Sequence, residues 1–269
     1  IDELIYEADF IAKAAISPTA FVAKKGVGGM DHVLWVTPGY QSVRYKSNAG
    51  GESDGSRPIT VDMGDGSMAS NAAATLAVMS RILTRLNIYP EKSKNYAAKA
   101  LVAYAYAGAN RKTVGVSDGA GGVYPANASF NDDFATASLE LFSLTSDSTY
   151  LKTALGLASG IKWGNNGLCY NDNEPQALYN LYEIGGVASA LGQLTGASGM
   201  MNRYTSNVNT EGLSKVGDGW GALRYPLNGA YLGGLINRIS NSDTYDQFIY
   251  NQVDFVMGAN VAQRSFITG

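Results

Sequence analysis

Asp132 and Asp133 stand side by side in "NDDFATASLELF", Asp172 and Glu174 two apart in "YNDNEP", and Asp118 and Asp218 in glycine-rich stretches. Two carboxylates on opposite sides of a reacting bond can serve as acid and base, one protonating a leaving group while the other activates water. Each of these sets also has a plainer account. Asp132 and Asp133 follow Asn131 at the start of a helical pattern, where the helix dipole favours negative charge and capping explains them. Asp172 and Glu174 lie in an Asn/Asp-rich turn whose local hydrogen bonding accounts for both. No acid/base pair is assigned from these residues, and the catalytic set read from the sequence is empty.

The aromatic residues point elsewhere. In "DGWGALRYPLNGAYL" a Trp and an Arg, Trp220 and Arg224, lie four apart at the mouth of a helix. A sugar ring offers an apolar C–H face that stacks on an indole, and its hydroxyls need planar, directional donors alongside, which a guanidinium supplies. A Trp at a helix start can equally plug the core. Trp163, in "GIKWGNNG", is bracketed by Gly and Asn and reads as loop-exposed. His32 and Trp35 share the long loop "GVGGMDHVLWVTPGY", and Tyr124 lies in a second one, "GAGGVYPANASF". A lone His is commonly a satisfied structural residue, and Tyr124 is a weaker candidate that reads more readily as ordinary packing.

Composition removes several classes of function. A net charge of −3 with scattered basic residues offers no surface for nucleic acid. No apolar run is long enough to span a membrane. One Cys, Cys169, and one His, His32, can form neither an internal disulfide nor a Cys/His zinc site. The chain opens at Ile1 in what already reads as a helix, with no signal-peptide pattern, as a mature product or an internal fragment would. "NAS" at Asn127–Ser129 is a lone glycosylation sequon, in keeping with secretion.

Helical periodicity dominates the elements that must position these residues. Asp2–Ile16 places Leu4, Ala8, Ile11 and Ala15 on one face, with Asp2 as its cap. Ser67–Leu86 is nearly apolar all round, an inner helix. Lys94–Gly108, closed by Gly108, Asn131–Thr145, Asp147–Gly160, Glu174–Gly196, a helix after Pro226, and Ser242–Gly258 complete the set. No run alternates as a strand does. "LFSLTSDSTYL" and "INRISNSDTYDQF" repeat one device, a Ser/Asp turn that ends one helix and caps the next, with a Tyr packing back. Repeated hairpins of this kind predict a helical toroid or solenoid, and the two long glycine-rich loops predict function on its loop face.

Five segments in register across the chain resemble glycoside hydrolase family 9, the inverting cellulases. They are "DHVLWVTP…VRY" (Asp31–Tyr45), "NAAATLAVMSRIL" (Asn71–Leu83), "NDDFATASLELFSLTSDSTYL", "WGALRY" and "NQVDFVMGANVAQRSFITG" (Asn251–Gly269). The resemblance implies an all-α fold, an (α/α)6 barrel of six helical hairpins. It implies that residues 1–269 form one domain corresponding to the central part of the family's catalytic domain. The family's Asp-Ala-Gly-Asp motif, its His-His-Arg motif and its acid Glu have no counterpart in the sequence. The expected barrel is therefore incomplete, and sugar recognition is better supported than cleavage.

It also implies a cleft for β-1,4-glucan lined by His32, Trp35, Trp163, Trp220 and Arg224, with Tyr124 beside them. In the complete parent the expected reaction is inverting endo-hydrolysis in an extracellular, secreted setting. No cofactor is required. Some family members hold calcium near an Asp-Glu matching Asp132 and Asp133, and here Asp133 replaces the Glu, shortening the reach. Two rival readings stand: a non-catalytic binding or assembly module, and an (α/α)6 enzyme acting on another polysaccharide. A toroid lacking elements at both ends leaves apolar faces on Asp2–Ile16 and Ser242–Gly258. Self-association into a homo-oligomer or filament, a partner chain, or further segments of the polypeptide would cover them.

Overall fold

The computed structural model describes residues 1–26, 37, 39–40, 57–115, 129–164, 168–169, 172–217 and 222–267. Helices carry most of them, as the periodicity predicts. They are α1 (Asp2–Ala14), α2 (Gly66–Leu86), α3 (Pro90–Ala109), α4 (Asn131–Thr145), α5 (Ser148–Leu157), α6 (Glu174–Glu183), α7 (Ala188–Thr195), α8 (Met200–Ser206), α9 (Arg224–Ser240) and α10 (Asp246–Met257). Strands are present too, against the expectation of none. β1 (Ala15–Ser17), β2 (Ala20–Lys25) and β3 (Ile59–Val61) pair antiparallel in the order β1-β2-β3. Two of the three are three residues long, too short for alternation to register, and β3 buries none of its side chains.

The chain divides into two compact units, Ile1–Phe130 with Glu140–Asp147 and Asn131–Leu139 with Ser148–Gly269. In the first, α2 and α3 form a close hairpin. Reciprocal Ser80 and Ser93 hydroxyl-to-carbonyl bonds of 2.8 and 2.9 Å join them where small side chains let the backbones approach. Pro90 opens α3 at the first helical position, where its missing N–H costs nothing, so this helix begins earlier than Lys94 and runs past Gly108 to a cap at Asn110. Of the expected stripe, Ala8 and Ala15 are buried, but Ile5 and Ala12 are buried where Leu4 and Ile11 were expected, and Leu4 is exposed. Asp2 lies in its first turn rather than capping it. Asp65 caps α2 in earnest: one oxygen accepts from Met68 N–H (2.9 Å) and the other from Val114 N–H (2.8 Å).

The second unit is built on a core that includes Leu139, Ile161, Leu178, Leu181, Leu194, Met201, Tyr204, Leu232 and Ile236. The single helix expected over Glu174–Gly196 is two. It ends at Glu183, and Gly186 takes φ +69°, while Gly185 and Val187 N–H bond back to Asn180 and Leu181 carbonyls at 3.2 and 2.9 Å. This is a glycine-terminated helix end, and its signal is the Gly185–Gly186 pair. In the α9–α10 turn Ser242 Oγ donates at 3.5 Å to the side chain of Asn237 in the outgoing helix, and the Asp243 carbonyl accepts from Asp246 N–H at 2.9 Å. The Asn237 side-chain oxygen also accepts from Tyr245 N–H (3.1 Å), and its amide donates to Asp246 (2.9 Å).

Candidate functional site

The residues singled out by their chemistry gather in the second unit as far as the structure describes them. His32, Trp35, Tyr124 and Trp220 lie outside the described residues, as do Asp118 and Asp218. Trp163, Arg224, Asp132 and Asp133 lie within them.

Asp132 and Asp133 occupy the first turn of α4 and are almost fully buried, at 2% and 1% exposure. That is unlike a pair of solvated capping residues. Asp132 Oδ2 accepts from the backbone N–H of Asn173 at 3.3 Å, which joins α4 to the turn that precedes α6. The turn is pinned by a two-way backbone bridge, Cys169 N–H to Asp172 O (3.0 Å) and Asp172 N–H to Cys169 O (3.3 Å). Asp132 and the turn that contains Asp172, far apart in sequence, thus come together. Burial, and after it the nearby Asp132 charge, pushes the Asp172 carboxyl up to about 6.

Asp172 and Glu174 are buried, and Asp172 Oδ1 and Glu174 Oε2 make no hydrogen bond. A buried, unsatisfied carboxylate oxygen is costly unless a proton or a cation neutralises it. A carboxyl protonated near neutrality is also what glycosidic cleavage asks of its acid. Asp172, however, is 6% exposed and its Oδ2 lies 3.2 Å from where a Cβ on Gly164 would sit, so it faces backbone rather than an open cleft. As hard oxygen donors, Asp132 and Asp133 suit calcium, which takes six to eight such ligands. Among the described residues no group of three acidic, His or Cys side chains is placed to hold a metal ion, so side chains alone do not complete such a shell.

Trp163 follows the short 3-10 turn Ala158–Gly160 and is half-buried, packed against the core of the unit rather than fully loop-exposed. Gln193 fixes the approach to it by donating to the Ile161 carbonyl at 3.2 Å. The cation over its ring is Arg203 of α8, with its guanidinium carbon 6.0 Å from the ring centre. Helix α8 was not read from the sequence. Its seven residues, "MMNRYTS", bury Met200, Met201 and Tyr204 at helical spacing, too short a run to stand out.

Arg224 is the first residue of α9, and its Nη2 donates to the Tyr225 hydroxyl at 2.8 Å. Asn228, one turn on, donates to the Leu168 carbonyl at 2.6 Å, so α9 also braces the segment leading to Asp172.

Comparison with known proteins makes the class of this helical scaffold definite. The profile of Glycosyl hydrolase family 9 matches residues 1–269, and the chain belongs to that family. Endoglucanase A of Fibrobacter succinogenes is 29% identical over 283 residues, covering 100% of this chain and 59% of that protein. An endoglucanase of Dictyostelium discoideum is 24% identical over 289 residues, covering 100% of this chain and 37% of that one. Among solved structures, the cellulase Cel9M of C. cellulolyticum superposes with a TM-score of 0.78 at 24% identity, over 98% of this chain and 59% of that one. Endoglucanase CelQ from Clostridium thermocellum, complexed with cellotriose, gives 0.76 at 24% identity over 97% and 43%. The fold is the all-α, (α/α)6-barrel class of these cellulases. The chain spans little more than half, or less, of the length of the proteins it matches. Among the described residues no helix is long and apolar enough to cross a membrane.

Proposed function

We propose that this chain recognises β-1,4-linked glucan as part of a secreted cellulose-type hydrolase. The observation that carries the reading is the match of the family's profile to residues 1–269. On this reading Trp35, Trp163 and Trp220 offer faces to successive sugar rings. His32, Arg224 and Tyr124 bond their hydroxyls. In the complete parent, endo-hydrolysis proceeds with inversion: one carboxyl protonates the departing oxygen while another activates water on the opposite face. The carboxylates within the chain are given structural work instead. Asp132 and Asp133 would offer two of the oxygen ligands of a calcium ion, with backbone carbonyls and water supplying the rest of its shell.

Titration with cello-oligosaccharides, run beside xylan, chitin and uronic-acid oligomers, tests the reading. Preferential binding of the cello series, weakened by Trp220→Ala by about 1–3 kcal/mol, is the expected result. Trp220→Phe should keep part of the affinity, and Arg224→Lys little, because an ammonium lacks the planar fork of donors. Equal affinity for all four polymers, or a Trp220→Ala variant that melts early yet binds normally when folded, would overturn it.

A further inference from the structure

We infer that Tyr225 is a positioning residue for Arg224, and that position 217 is glycine because the Tyr225 ring occupies the space a side chain would need. The inference rests on the reading that Arg224 meets the glucan.

Arg224 stands where a cation is poorly placed for helix stability. It is the first residue of α9, Leu223 before it provides no side-chain cap, and the first turn contains no acidic residue. The exposed N–H groups and dipole of a helix start repel positive charge. Some contact must therefore hold the guanidinium there, and Tyr225 provides two. The hydroxyl accepts from Nη2 at 2.8 Å, and the guanidinium carbon lies 4.7 Å from the ring centre. Neighbouring residues on a helix do not ordinarily face each other, so this contact requires the Tyr225 ring itself to be fixed.

Gly217 fixes it. Its φ is +75°, and a Cβ there would lie 2.3 Å from Tyr225 Cγ and 2.5 Å from both Cδ atoms. The ring is packed directly on the Gly217 backbone, and any larger residue at 217 would push it away. A flexible Arg gives up several rotamers when it binds a hydroxyl. One already held by a ring and an oxygen gives up fewer, and the sugar meets a preorganised donor.

The test compares the wild type, Tyr225→Phe, Arg224→Ala and the double variant in cellotetraose titrations and thermal melts. It adds the NMR exchange rate of the Arg224 Nε–H. We expect Arg224→Ala to bind roughly tenfold more weakly and Tyr225→Phe roughly fivefold, the scale of losing one ordinary hydrogen bond. Tyr225→Phe should melt close to wild type and show faster Nε–H exchange even without sugar. The double variant should bind no more weakly than Arg224→Ala alone, since Tyr225 acts through the arginine. Full affinity in Tyr225→Phe alongside a weakened Arg224→Ala would overturn the positioning role and leave the glucan reading standing. Further loss in the double variant would do the same, by showing that Tyr225 acts independently. No cellotetraose binding by wild type, or an unaffected Arg224→Ala, would overturn the glucan reading and this inference with it.

Discussion

The guanidinium carbon of Arg203 lies 6.0 Å from the centre of the Trp163 ring, and that indole is half-buried against the core of the second unit. A ring held from its core side by packing, with a cation over it, supports structure as well as any ligand. Trp163→Ala should therefore lower both stability, by about 2–3 kcal/mol, and cello-oligosaccharide affinity. Trp163→Phe should restore most of the stability. Arg203→Ala should cost about 0.5–1 kcal/mol, the scale of a partly exposed cation–π pair. Urea melts and oligosaccharide titrations on the same proteins separate the contributions, and a Trp163→Ala variant as stable as wild type would show that the packing contributes nothing.

Asp9 ties α1 to α3. It accepts from Lys92 Nζ at 2.6 Å and from the Tyr96 hydroxyl at 2.7 Å, and those two bonds, the lysine's first, hold its carboxyl below the usual range. A carboxyl lowered in the folded state stabilises fully above its unfolded value, about 3.9, and loses that contribution as pH falls through the folded value. Tyr96 is shifted the other way, raised by burial and then by Asp9. Its contribution is present below the usual tyrosine range and fades as pH climbs toward its folded value. Asp9→Asn should flatten the acid limb of the stability profile by lowering stability at neutral pH while leaving the acid end little changed. An acid limb identical in the two proteins would show that the contact carries no linkage.

Legibility followed element length and the distance over which partners meet. Helices α2 and α4 were readable because α2 is apolar over 21 residues and α4 opens with an acidic pair behind Asn131. β1 and β3 were not, because three residues cannot display a period. The α6–α7 break was written in Gly185–Gly186 but overridden by the apolar residues on either side. The site divides in the same way. Asp132 and Asp172 were each visible, but their meeting depends on a turn pinned by Cys169, and nothing in local sequence reports a contact 40 residues away. Tyr225 was missed for the opposite reason: an i,i+1 contact is one that helix geometry says to ignore.

Gly66 begins α2 beside Asp65, and a Cβ at that position would lie 2.0 Å from the Asn110 carbonyl oxygen. The obstacle is backbone, and Gly66 N–H also bonds the Lys112 carbonyl at 3.0 Å, so neither side can yield cheaply. Gly66→Ala should destabilise the first unit by several kcal/mol, on the order of 3 or more. Asp65→Ala, which removes the cap and the Val114 bond but adds no clash, should cost about 1–2 kcal/mol. Chemical denaturation ranks the two, and the reverse order would mean that the tight approach at Gly66 relaxes readily.

Apolar side chains stand exposed on α1 and α10, as expected for those helices: Leu4, Tyr6 and Phe10 on one, Tyr250, Val253 and Met257 on the other. Exposed apolar side chains on a helix face favour association. The 269-residue chain should self-associate with rising concentration, and Tyr6→Lys with Phe10→Glu should shift it toward monomer without lowering its melting temperature. Light scattering across a concentration series decides this, and a wild type that stays monomeric at high concentration would remove self-association as the means of covering these faces.

The buried acids give the sharpest prediction. The Asp172 carboxyl, pushed up to about 6 by burial and then by Asp132, is raised above its unfolded value. Its contribution is therefore most favourable below about 3.9, where it is protonated in both states, and turns unfavourable as pH rises through 6. With a chelator present, the wild type should lose on the order of 2–3 kcal/mol across that interval. Asp172→Asn, which keeps the shape and never ionises, should escape the loss and be the more stable protein at neutral pH. Calcium held by Asp132 and Asp133 should raise the wild-type melting temperature at pH about 7 and do little for Asp132→Asn. Melts in chelator and in millimolar calcium at two pH values test both halves. A wild type indifferent to calcium would remove the ion from Asp132 and Asp133, and an Asp172→Asn variant less stable in chelator would show that the carboxylate is held by a partner in its charged form.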